Sequence, residues 1–175
     1  MIERVEKLGV DPETYIIELL IRETYLDPRD EVELHITLAR RLLEEGKKIL
    51  DKHPVQASEK LYKAVEECIK ALAIYYSDKE EKLKEILERI KKRGRWTVTD
   101  LEKSVHVLTK YVGNILRTVW DSANYLHVWG FHEAKLDPED IKVRLHDIEE
   151  LVRKVEDMLR GGYVGSKSFL YTISR

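Results

Sequence analysis

Residues 55–76 read VQASEKLYKAVEECIKALAIYY, and the placing of their apolar side chains decides the fold. Leu61, Ala64, Val65, Cys68, Ile69, Leu72 and Tyr76 fall in steps of three and four, which is the spacing of one face of an α-helix. His53-Pro54 breaks the pattern that precedes it and restarts it here. Upstream, Asp27-Pro28 is a helix start, with Asp at the N-cap and Pro at the first position. The helix it opens is expected to reach about Lys52, carrying Val32, Leu34, Ile36, Leu38, Leu42, Leu43, Ile49 and Leu50. Asp11-Pro12-Glu13 gives the same signal for a helix to about Leu26. Ile16, Ile17, Leu19, Leu20 and Ile21 make that segment apolar nearly all round, so it is expected to be buried or pressed on a partner.

Downstream, Ser77-Asp78 is expected to cap a shorter helix ending near Arg93, with Gly94 as terminator. Thr97 or Thr99 would cap the longest element, with the stripe Leu101, Val105, Leu108, Val112, Leu116, Val119, Ala123 and Leu126. Unbroken to Val128 it would span about 45 Å at roughly 1.5 Å per residue, with a bend allowed at Gly113 and an end at Gly130. Asp137-Pro138 opens the last helix, whose stripe runs from Ile141 to Leu159 and is expected to stop at Gly161-Gly162. Residues 1–162 thus predict one all-α domain, an up-and-down bundle of five or six helices joined by short connections. Residues 163–175 lose the helical period and turn β-prone from Ser168 to Ile173, a tail expected to fray or to dock on a partner chain.

Composition narrows the function classes. Of 175 residues, 43% are hydrophobic, enough for a core, and 37% are charged. The 31 basic and 33 acidic side chains nearly cancel, so nucleic acid or membrane would have to be met by a local patch. Cys68 is the single cysteine and lies on an apolar face, which predicts a small core residue. No apolar run approaches membrane-spanning length and no signal-peptide core opens the chain, so a cytoplasmic protein is expected. Gln56 is the only glutamine, Asn114 and Asn124 the only asparagines, and Lys and Glu dominate the polar positions, a bias expected of a thermophilic protein.

Two stretches carry a family resemblance: Gln56 to Ala73, and Asn124-Tyr125-Leu126-His127-Val128-Trp129-Gly130-Phe131-His132-Glu133. With Asp27-Pro28 and its helix they resemble the archaeal PaREP family, the first of its numbered types, over roughly residues 11–161. That family is similar to the HEPN superfamily of small helical bundles that usually dimerise. The resemblance implies a HEPN-like homodimer in a defence or toxin–antitoxin setting, binding a nucleotide or RNA, or a nucleotidyltransferase as partner. Many HEPN proteins are metal-independent ribonucleases with an Arg, four to six residues, then a His. His127 takes the histidine position, with Asn124 its polar neighbour, but the arginine slot holds Ser122, Asp121 or Trp120. Arg117 is the nearest upstream arginine and points off the His127 face. The expectation is therefore a binding protein, with a ribonuclease and a purely structural module as alternatives.

The residues themselves offer two candidate sites. The first is the corner Asn124, His127, His132 and Glu133. A histidine titrating near ~6.5 can move protons at neutral pH, while a histidine in a last helical turn also serves simply to bond free carbonyls. The second is Arg89, Lys91, Lys92, Arg93 and Arg95 beside Trp96, which together could grip a phosphate and stack a base, or could be a solvated C-terminal turn. A straight long helix would hold the two about 40 Å apart, so only an antiparallel dimer could combine them. Trp120, Trp129, Tyr125 and Phe131 are expected to be core or dimer interface. The histidines five apart lack the i, i+4 spacing of a preset zinc pair, and no phosphate loop or nucleophile elbow is present, so no metal and no cofactor is expected.

Overall fold

A computed structural model of the chain describes Ile16, Leu19 and residues 26–170, with side chains described as far as residue 161. Six α-helices occur among the described residues: α1 (Pro28–Ile49), α2 (Pro54–Tyr76), α3 (Glu81–Arg93), α4 (Val98–Val112), α5 (Ile115–Tyr125) and α6 (Pro138–Leu170). A seven-residue π-helical turn, Leu126–His132, follows α5. There is no strand among the described residues. The expected helix from Asp11 to Leu26 lies outside the described residues except for Ile16 and Leu19, which are helical, and Leu26, which is not.

Local chemistry sets most of the boundaries. Asp27 accepts from the Arg29 N–H at 2.8 Å and Pro28 leads α1. Thr97 caps α4 through a capping box, its side chain accepting from Asp100 N–H while the Asp100 carboxylate accepts from Thr97 N–H. Asp137 and Asp140 exchange the same pair of bonds, at 3.0 and 3.2 Å, where α6 begins. Gly94 ends α3 with φ 78°, a left-handed conformation that glycine adopts at no steric cost. Ser77, expected to cap α3, instead bonds back to the Ile74 carbonyl in a 3₁₀ turn, and α3 starts at Glu81.

The bundle is built around α2. Leu61, Ala64, Val65, Cys68, Ile69 and Leu72 are wholly buried. At about 1.5–3 kcal/mol for each large apolar side chain, this helix contributes much of the driving force for folding. α1 packs antiparallel to it. Gly46 lies so close that an added Cβ would meet Leu61 Cδ2 at 3.1 Å. α6 in turn runs antiparallel to α1 along a ladder of ion pairs: Lys142–Asp51 (2.9 Å), Lys47–Glu149 (2.6 Å), Arg40–Glu156 and Arg160–Glu33 (3.5 Å).

Two elements differ from the sequence reading. α6 passes through Gly161 and Gly162 to Leu170, because glycine weakens a helix without forbidding it. Residues 171–175 lie outside the described residues. The expected long helix from Thr97 to Val128 is in fact a hairpin. Trp120 Nε1 donates to Glu102 Oε2 at 2.6 Å, although the two are 18 residues apart. A straight helix would separate them by roughly 27 Å. The chain reverses at Gly113, whose φ of 93° and ψ of 178° lie outside the helical region, and both α4 and α5 pack on α2. Tyr111, at the tip, stacks on Tyr76 at 4.0 Å and donates its hydroxyl to Glu80.

Candidate functional site

The π turn Leu126–His132 lies on the N-terminal half of α2, and Gly130 is what allows it to. Gly130 is buried, and a Cβ there would stand 2.2 Å from Ser58 Oγ and 2.6 Å from Ser58 Cβ. The wide turn, seen in the bond from Glu133 N–H to the Val128 carbonyl at 2.9 Å, sets residues five apart above one another. His127 and His132, which an α-helix would splay, thereby meet with their Nε2 atoms 3.1 Å apart.

His127 is gripped from the other side by α2. Its Nδ1 lies 2.6 Å from Glu59 Oε2. The carboxylate accepts, so Nδ1 carries a proton, and the ring turns its Nε2 toward His132. The Tyr62 ring stacks on the imidazole at 4.2 Å and Phe131 lies parallel at 6.0 Å. Burial, with Glu66 and Glu59 nearby, pushes the Tyr62 hydroxyl well above its ordinary value, so it stays protonated. The imidazole is half-buried and His132 is exposed, giving an oriented pair that opens to solvent on one side. Such an arrangement can accept or donate a proton, or offer two nitrogens to one electrophile. His127 is thus not bonding the free carbonyls of a helix end; its partner is a carboxylate on another helix.

The other residues of the corner divide. Asn124 donates its amide to the Trp120 carbonyl of its own helix at 2.9 Å. Glu133 is exposed and pairs with Lys135 at 3.2 Å rather than with either histidine. Trp120 is core and Phe131 half-buried, whereas Tyr125 and Trp129 remain 39% and 42% exposed. Both rings carry a cation: Arg144 Cζ is 4.1 Å from the Tyr125 centroid, and Lys135 Nζ is 5.3 Å from that of Trp129.

The basic turn is dispersed. Arg93 is committed to Asp100 and to the Arg95 carbonyl, where it holds the start of α4. Lys91 lies in the field of Glu31, and Trp96 packs its half-buried ring on the core. Lys92 and Arg95 are exposed. Arg89 joins Lys82, Glu85, Lys103 and His106 on a shallow groove of about 350 Å³ between α3 and α4. The hairpin also removes the reason for setting this turn 40 Å from His127. With Trp120 level with Glu102, the C-terminal end of α5 returns to the level of the residues that open α4.

Sequence reasoning missed two things. Glu59 carries no local sign of its role, since its partner is 68 residues away. The second is a charged cluster inside the core. Glu66 and Lys70, one i, i+4 step apart on α2, pair at 2.8 Å inside the core. Lys70 also holds Glu67 at 2.7 Å, and Glu67 holds His35 Nδ1 at 2.6 Å. Burial alone would raise the Glu67 carboxyl. Lys70 and His35 outweigh it and hold the group at about 2. The sequence gives little sign of it, because Glu66, Glu67 and Lys70 lie off the apolar stripe of α2 and read as a solvated face. Glu80, just ahead of α3, pairs with Lys110 and Tyr111 at the end of α4.

The sequence model of the archaeal PaREP1/PaREP8 family matches residues 34–152, which include α2, the hairpin and the whole π turn. The chain belongs to that family. It is also similar to a crystal structure of a protein from Sulfolobus solfataricus, at 36% identity and a TM-score of 0.61, covering 70% of this chain and 96% of that one. No curated protein matches the chain. Among the described residues of this family member, no helix is long and apolar enough to cross a membrane, and no group of three His, Cys, Asp or Glu is placed to hold a metal ion.

Proposed function

We propose that this PaREP-family chain is a HEPN-like binding protein whose π-turn corner takes a nucleotide or a short single-stranded RNA. The observation that carries this reading is the pair of exposed rings, Tyr125 and Trp129, with centroids 6.4 Å apart and each with a cation on its face. Aromatic faces stack bases at about 1–3 kcal/mol each, and Arg144 and Lys135 would move from ring to phosphate. Binding of a short oligonucleotide, followed by Trp fluorescence, should weaken roughly 5- to 100-fold in Tyr125→Ala and in Trp129→Leu. Binding unchanged in the double variant would refute the site. Absence of any nucleotide or RNA binding would leave a structural interaction module.

A second reading, a metal-independent ribonuclease, is favoured by one observation. Glu59 holds His127 as a carboxylate holds the general base of a catalytic dyad. The arginine slot of the HEPN motif stays non-basic, and the phosphate would need another cation. His127→Ala should then lower RNA cleavage by about 10²–10⁴ with little change in the melt. Cleavage that survives would reduce His127 to a tether between α2 and the π turn. A homodimer and a nucleotidyltransferase partner, both implied by the resemblance, belong to this proposal, as does its defence or toxin–antitoxin setting.

A further inference from the structure

We propose that His127 and His132 form a two-histidine site for a divalent transition-metal ion of the Zn²⁺ class. Three features point to it. The two Nε2 atoms face one another at 3.1 Å. Two imidazole nitrogens bound at about 2.0–2.1 Å to one tetrahedral ion stand roughly 3.3–3.4 Å apart, so a shift of a few tenths of an ångström would seat the ion between them. The rings meet nearly edge to face, at 80°, as two ligands approaching one ion from separate directions do. Behind His127, the Glu59 carboxylate accepts from Nδ1–H at 2.6 Å. Metal-bound histidines nearly always carry such an acceptor, which fixes the tautomer and raises the basicity of the ligating nitrogen.

The π turn is the device that makes the site. In an α-helix a histidine pair binds one ion at a spacing of four residues. The five-residue spacing here fails that rule and is restored by a turn that bonds i to i+5. Tyr62 and Phe131 hold the plane of the His127 ring, while exposed His132 supplies the adjustable ligand. No third His, Cys, Asp or Glu closes the site among the described residues, so water or an anionic ligand would complete the coordination. The proposal does not depend on the nucleotide reading: metal can bind whether or not RNA does.

The test uses the full chain without an affinity tag. Zn²⁺ titrated calorimetrically near pH 7.5 should bind one ion per chain. His127→Ala and His132→Ala should each lower the affinity at least tenfold, and Glu59→Gln by about 10- to 100-fold, the usual effect of losing the carboxylate behind a ligand histidine. His106→Ala, which removes the exposed partner of Glu102, should leave the isotherm unchanged. Co²⁺ substitution should show two nitrogen ligands by X-ray absorption. His132 is exposed, so its variant should keep the parent's circular dichroism and melt. Stoichiometric binding that survives His132→Ala would overturn the proposal, and so would a parent affinity no better than that of the His127→Ala/His132→Ala double variant.

Discussion

Lys70 bridges two buried carboxylates, and replacing it by methionine tests how far the core depends on that charge. The side chain is 2% exposed and reaches Glu66 at 2.8 Å and Glu67 at 2.7 Å. Methionine keeps most of the volume and removes only the ammonium group. Glu66 would keep Lys63, at 3.2 Å, and Glu67 would keep His35, but the two carboxylates would then face one another without the charge between them. Breaking a buried pair by removing one partner costs about 3–5 kcal/mol. For a chain of this size that is a fall in melting temperature of roughly 6–20 °C. The pH dependence gives a second, independent reading. In the parent, Glu67 is held at about 2 against an ordinary 4.5, so its contribution is complete above 4.5 and is lost as pH falls toward 2. Over that window the loss amounts to roughly 3 kcal/mol. In Lys70→Met the carboxyl should instead be raised, and the variant should gain stability relative to the parent as pH falls from 7 to 5. Chemical denaturation at pH 7, 6 and 5 measures both effects. Adding Glu67→Met should recover much of the loss, because a packed apolar group needs no counter-charge. A Lys70→Met variant within ~0.5 kcal/mol of the parent at pH 7, or one whose deficit is the same at pH 5, would refute the reasoning.

Gly130→Ala should cost about 1–3 kcal/mol and push the π turn off α2, since the new Cβ collides with the Ser58 Cβ, which is fixed to its helix; hydrogen exchange of the 126–132 amides should quicken, and an unchanged melt would mean that the turn is not closely seated. The parent chain is expected to melt above ~90 °C by circular dichroism, supported by the α1–α6 ion-pair ladder, whereas a melt near ~55 °C would end the thermophilic reading. Light scattering at micromolar concentration is expected to report a homodimer. A monomer would remove the two-chain part of the functional proposal.

The sequence by itself determined what is local. Asp27-Pro28, Pro54, Thr97 and Asp137-Pro138 start helices where they were read, and Gly94 ends one, because capping and φ preferences act over a few residues. The stripe on α2 identified the core, Cys68 included, because a side chain's face on a helix follows from its index alone. Tertiary structure decided the rest. Gly113 was legible as a weak point, but whether the chain bends or reverses there depends on where Trp120 finds its partner, and Glu102 offers one only when both helices lie against α2. Gly161-Gly162 were equally legible, and α6 runs on through them. The pairing of Glu59 with His127 spans 68 residues and has no local trace. The meeting of His127 with His132 requires a π turn, which costs hydrogen-bond geometry that an α-helix would keep. It forms where the bare backbone of Gly130 can press against Ser58, and that contact joins two segments the sequence holds far apart.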